Sequence, residues 1–337
     1  MALATGIQGQ WGWAVESTPG TEVTTMTKFA EFEDMSVEPQ KQTVTGHGLR
    51  AGATSVLAGR HYSSGFAYQG KITHNLVTLG EGTLYRWMTG QNVSAPTLIS
   101  GTSYKTFFKP ADLTASGSSL TMQYYNGDTA FTYAGAKCNE VVFQCDATGV
   151  LSAGITFDAT SEDIVTAKTA ATYTLGDLWR GSQMFVKVGG TVAGGASENT
   201  VSGNTNLDGV RSISVTLPNP LDLTRWYANN SGVRQPAILN DLRLPTVSIT
   251  RDMTDNSQYA NFTGDTNVPV LIYWQGPVIS GGNNWTFEIL LPAVKWNAAP
   301  HPVSGPGIQQ QTLDGEAYDD GTNGFFQLRS ITNEAAF

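Results

Sequence analysis

Three stretches of the chain carry residues spaced as chemistry would need them. GHGLRA, at Gly46–Ala51, fits the glycine spacing G-x-G-x-x-A of a dinucleotide-binding turn. That turn needs a hydrophobic strand before it and a helix after it, whose N-terminus holds the pyrophosphate. Here KQTVT precedes and GATSVLAGR follows, neither of that kind, so the spacing reads as coincidence in a chain with 37 glycines. DGEAYDDG, at Asp314–Gly321, clusters carboxylates as calcium loops do, but it lacks D-x-D-x-D-G and the later bidentate glutamate. Asp-Gly pairs form turns, and a solvated strand end with a turn is the simpler reading. Cys138 and Cys145 share one strand-like run, KCNEVVFQC, where their odd separation points them to opposite faces. They are expected to be buried free thiols rather than a bridge.

The four histidines, His47, His61, His74 and His301, are scattered, and no pair has helical metal-ligand spacing. No G-x-S-x-G elbow and no cysteine-centred nucleophile signature occurs. Neither catalysis nor a cofactor or metal is therefore expected. Asn92, Asn229, Asn261 and Asn284 sit in N-x-[ST] triplets, which abundant asparagine produces by accident. Trp11, Trp13, Trp87 and Trp296 lie in apolar contexts and read as packing anchors, against the alternative of a sugar-binding module.

The elements that would position any such residues are strands. Only 14% of the 337 residues are charged, too few for long amphipathic helices. Short Thr/Val/Tyr/Phe runs broken by Gly and Asn recur throughout, which indicates a mainly β fold. The net charge of −9 opposes tight binding to phosphates. The opening residues have neither the basic nor the apolar region of a signal peptide, and no apolar run is long enough for a bilayer; synthesis in a cytoplasm is the expectation.

The chain also reads as written twice. EDMSVEP, GLRAG, SGFAYQGKITHNL and LGEGTLYRWMTG are answered in order by RSISVTLPNP, GVRQPA, LRLPTVSITRDMTD and NSQYANFTG. TYAGAK is answered by LLPAVK, then ITFDATSED by QTLDGEAYDD. The expected layout is an arm over 1–28, a first unit over 29–165, a connecting hairpin and Gly/Asn-rich linker over 166–209, and a second unit with a C-terminal arm over 210–337. Alternation in both copies separates a core face from a wet one. Gln69, Lys71, Thr73 and Asn75 share the wet face of the first copy; Thr246, Ser248, Thr250 and Asp252 share that of the second.

GIQGQWGWAVESTPGTEVTTMTKFAEFEDMSVE resembles the opening of tail tube (major tail) proteins of long, non-contractile bacteriophage tails. GLRAG, ITHNLVTLGEGTLYRWMTG, FTYAGAKCNEVVFQCDATGVLSAGITFDATSED and VSGPGIQQQTLDGEAYDDG extend the resemblance to about Leu328. It implies a β-sandwich or barrel with short flanking helices, rings that join neighbouring sheets, and stacking of rings into a conduit for DNA ejection. Doubling implies trimeric rings with pseudo-sixfold symmetry, with six chains per ring as the alternative. The wet faces would line the lumen, where viral DNA passes without specific binding. Trp11, Trp13, Arg50 and Arg234, in the arm and the long loops 40–62 and 221–241, are the expected inter-ring contacts. Other partners implied are the tape-measure protein and the tail-tip and terminator proteins, with no membrane. A distal-tail adaptor or a decoration protein is the alternative assignment.

Overall fold

The computed structural model describes residues 5–52, 54–90, 95–113, 118–165, 167–228, 232–300 and 306–337. His301, Asn92 and Asn229 lie outside the described residues. Strands take up 51% of the chain and helices 8%, so the fold is mainly β.

The strands up to residue 165 are β1 (Gln10–Val15), β2 (Lys28–Ala30), β3 (Asp34–Thr45), β4 (His61–Asn75), β5 (Thr97–Ser100), β6 (Ser103–Phe108), β7 (Leu120–Tyr125), β8 (Ala130–Asp146), β9 (Ser152–Ala159) and β10 (Ser161–Val165). Helix α1 (Gly82–Thr89) follows β4. After residue 183 come β11 (Met184–Val188), β12 (Thr191–Ala193), β13 (Thr200–Ser202), β14 (Thr205–Asn206), β15 (Val210–Pro218), β16 (Leu221–Asp222), β17 (Ile238–Leu239) and β18 (Thr246–Asp252). Helix α2 (Ser257–Thr263) leads into β19 (Val268–Ser280), β20 (Asn283–Ala298), β21 (Gln310–Ala317) and β22 (Gln327–Thr332).

One pairing scheme occurs twice. In the first half the antiparallel order is β2–β1–β7–β8–β10, with β8–β9–β4–β3 branching from the far end of β8. In the second it is β14–β11–β19–β20–β22, with β20–β21–β18–β15 branching from β20. Even the irregularities agree: β8 bulges between Cys138 and Glu140, and β20 between Trp296 and Ala298. Antiparallel pairing of β15 with β8 joins the halves. The order β3–β4–β9–β8–β15–β18–β21–β20 is thereby one continuous sheet.

The long strands explain the runs of apolar sequence. β8 and β20 each serve two sheets, so their first halves are buried on both sides while the later part of β8 alternates. The bulge also corrects the expected placement of the cysteines. It restores the phase of burial, and Cys138 and Cys145 are both buried instead of pointing to opposite faces. Core side chains from both sheets close over α1, where Leu84, Tyr85, Trp87 and Met88 are buried. Burial of one such side chain contributes roughly 2–3 kcal/mol. Gly90 ends α1 in the left-handed region at φ 74°, as a C-terminal glycine should. Gly264 ends α2 at φ −86°, and Asp265 takes the positive φ instead.

The expected arms are part of the fold. Gln10–Val15 is strand β1 between β2 and β7, and the rings of Trp11 and Trp13 pack 4.8 Å apart at a tilt of 35° inside the core. At the other end β22 pairs with β20 and β6, and Phe337 packs 5.7 Å from Phe108. At six residues each, β1 and β22 are too short to carry a periodic signal, and only the strands they pair with reveal them. Within 166–209 the hairpin β12–β13 stands where a hairpin was expected, but β11 belongs to the main sheet.

Candidate functional site

The eight-stranded sheet has one dry and one wet face, and cross-strand rows fix which residue lies on which. One buried row runs His74, Ala153, Phe143, Val215, Val247, Gly315, Trp296. The adjacent wet row runs Asn75, Ser152, Gln144, Ser214, Ser248, Asp314. Another wet row crosses every strand: Asp34, Thr73, Gly154, Val142, Thr216, Thr246, Glu316, Lys295. All eight residues expected on a wet face lie on this one surface, none of them buried.

Matching the bulges pairs the two halves position by position. Phe157 opposite Cys138 corresponds to Gly315 opposite Trp296, so Gly70 corresponds to Val247. Gln69, Lys71, Thr73 and Asn75 then correspond to Thr246, Ser248, Thr250 and Asp252. The face is weakly acidic. Lys71 stands opposite Ser36, with Asp34 and Glu38 two residues to either side. Asp252 is clasped by Arg211, Nε to Oδ1 at 2.6 Å and Nη2 to Oδ2 at 2.9 Å, which holds its carboxyl below the usual range. Lys295 donates to Asp265 at 2.8 Å.

Buried polar groups beneath this face lock strand to helix in both halves. His74 is buried with Nε2 2.8 Å from Glu81 Oε1 and Nδ1 2.6 Å from the Glu31 carbonyl. Burial works against its charged form, yet the Glu81 carboxylate and the Glu31 carbonyl outweigh it and raise its pKa. Arg251 holds the corresponding place, donating to Gln311 Oε1 at 3.1 Å and to the Asp255 carbonyl at 3.0 Å. A further buried carboxylate escaped sequence reasoning. Glu16, in the EST turn, accepts from Gly20 N at 2.8 Å, Ser119 Oγ at 2.6 Å, Thr121 Oγ1 at 2.9 Å and Gly135 N at 2.7 Å. The only signal was the turn itself, since its partners are distant in sequence.

The seam between the halves is covered by the loop joining β15 to β18. Arg234, on that loop, is buried and donates to the Asp158 carboxylate and, at 3.0 Å, to the Ala159 carbonyl. Burial pushes the Asp158 carboxyl up to about 6, partly countered by the guanidinium. Lys137, opposite Asp158 on β8, donates to the Ala237 carbonyl of the same loop at 2.7 Å. Burial brings the Lys137 ammonium down to about 8.

These contacts correct the sequence expectation for ring contacts. Trp11, Trp13 and Arg234 are each at most 2% exposed and are spent inside the chain; Arg50 alone is exposed, on the loop after β3. GHGLRA occupies that loop, and among the described residues only a single 3-10 turn, Ala58–Arg60, stands between it and β4, not the α-helix a dinucleotide turn needs. In DGEAYDDG, Asp319 and Asp320 accept backbone N–H groups of the following turn, as turn-formers do. Among the described residues no cluster of His, Cys, Asp or Glu is arranged to hold a metal, and no helix is long and apolar enough to cross a membrane.

The fold is thus that of a mainly β structural protein whose broad sheet has one dry and one wet face, with a residue row that crosses all eight strands. A family profile described as phage tail tube protein matches residues 6–317, and the chain belongs to that family. Comparison with curated proteins gives no match. The family makes this a structural component of the virion tail that assembles with itself into a tube.

Proposed function

We propose that three chains close into a ring of pseudo-sixfold symmetry and that rings stack into a tube through which DNA leaves. The seam carries this reading: the second half joins the first by strand pairing, and among the described residues an outer edge is left open on β3 and on the end of β20. Each half is then one copy of a four-stranded building unit, duplicated within the chain. The rows give the geometry of closure. Following a row from β4 to β18 leads from Thr73 to Thr246, the counterpart of Gln69, a slip of four residues over four strands. At about 3.3 Å per residue and about 4.8 Å between strands, that slip tilts the strands by about 35°, as barrels require. Roughly 24 strands so tilted close at about 45 Å between backbones, wide enough for a duplex to pass.

The lumen is the wet face, with Gln69, Lys71, Thr73, Asn75, Thr246, Ser248, Thr250 and Asp252 among its residues. Small neutral and acidic groups predominate there, and Lys71 has Asp34 and Glu38 beside it on the neighbouring strand, so DNA finds few free cations against which to exchange its counterions and slides without specific binding. The tape-measure protein occupies the same bore before the DNA does, and tip and terminator proteins cap the ends. Stacking uses exposed segments at the ends of the barrel, including Gly6–Gln8, where Ile7 is 98% exposed. Averaged electron micrographs of purified tubes test the reading. Three chains per ring around an open bore is the expected result; six full-length chains per ring, or a particle without a channel, refutes it.

A further inference from the structure

Resting on that reading, we propose which edges meet between chains and in what register: the outer edge of β3 of one chain pairs with the end of β20 of the next, and Arg50 bonds Glu316 across that joint. The internal seam supplies the template. There, β15 lies on β8 with Leu217 opposite Val141 and Pro218 opposite Glu140. The counterpart of β15 is β3, and its outer edge has no strand partner among the described residues. The counterpart of the later part of β8 is the end of β20. Transferring the register sets Pro39 opposite Ala299 and Gln40 opposite Ala298.

Side chains above the joint repeat as well. In the internal seam the opposed pair Lys137 and Asp158 is covered by a loop, whose Gly232-x-Arg234 motif delivers the guanidinium to Asp158. The corresponding opposed pair is Lys295 and Glu316. It carries the same two charges, half-buried, and among the described residues no such loop lies over it. The loop that would cover it from a neighbouring chain begins Gly48-x-Arg50 and stands exposed, with Leu49 at 106%. Arg50 is thus to Glu316 as Arg234 is to Asp158. The β ladder itself is short of donors here, since Pro39 and Pro300 have no N–H. Pro218 sits in the internal seam without preventing it. The ion pair therefore carries much of the selectivity, and the prolines restrain indiscriminate edge pairing.

The test uses the full-length chain. Arg50→Glu should leave the thermal midpoint of the monomer unchanged. Glu316→Arg should lower it slightly by setting a guanidinium opposite Lys295 and removing the acceptor of the Tyr318 hydroxyl. Each should reduce tube yield in negative-stain images at least tenfold. The double exchange should restore it. Normal tubes from Arg50→Glu would overturn the inference while leaving the tube reading intact; a wild-type chain that never assembles would sink both. A second measurement fixes the register. The Gln40→Cys, Ala298→Cys variant, oxidised after assembly, should give covalent species that stop at the ring number, three. A stop at six supports the joint and defeats the trimer. An open-ended ladder would place the contact between rings, and absence of any linked species would exclude the register; either overturns the inference.

Discussion

Lysine in place of Thr73 and Thr250 should turn a sliding surface into a sticking one. The two positions correspond, so a ring of three chains would carry about six new ammonium groups at one height in the bore. With the backbone about 22 Å from the axis and a lysine reaching about 6 Å inward, each charge stands about 6 Å from the phosphates of a centred duplex, within one Debye length. Screened attraction at that distance in water is about 0.3 kcal/mol per pair, or about 2 kcal/mol per ring, several times thermal energy. Repeated ring after ring, such wells should slow passage at least several-fold. Release of DNA from purified particles, followed with a DNA-binding dye at low and at high salt, is the assay. Slow release at low salt that recovers at high salt is the expected outcome. If normally assembled tubes carrying both lysines release DNA at the wild-type rate at low salt, these strands do not line the path.

Glu16→Ala should destabilise the chain by about 3 kcal/mol or more, because three buried donors and one half-buried donor lose their acceptor; urea unfolding of the monomer measures it. Arg234→Ala leaves the Asp158 carboxylate buried without its cation and should cost about 3–5 kcal/mol. Arg50→Ala, by contrast, should leave the same melting curve unchanged. His74 has a raised folded-state pKa, so the stability it contributes is fully present below its unfolded value near 6.5 and is lost as pH rises through the folded value. Thermal midpoints of wild type against His74→Gln across that window should diverge in acid and converge in base. Deleting residues 5–15 removes β1 and both of its tryptophans, and circular dichroism should report loss of the first half's fold, not merely loss of assembly.

Alternation made the wet faces legible. In TVSITRD and QGKITHN every second residue is polar, and the structure sets all eight expected positions on one surface. The paired motifs were legible too, down to Gly48-x-Arg50 and Gly232-x-Arg234. Sequence reasoning missed what depends on distant partners. Residues 10–15 read as an arm because six residues carry no periodic signal, and only pairing with β7 makes them a strand. Arg234 looked free because nothing local announces Asp158. The phase of burial along KCNEVVFQC was lost at a bulge, which is invisible until the neighbouring strand sets the register.

The joint between β8 and β15 closes inside a single polypeptide. Its two sides meet at a tether-set concentration that no dilution can lower, whereas every contact between separate molecules weakens as the solution thins. In the proposed ring of three chains, half the joints of each hoop would thus be fastened before any collision takes place. A cell making few copies of such a chain would still start each hoop with that half of the carpentry done.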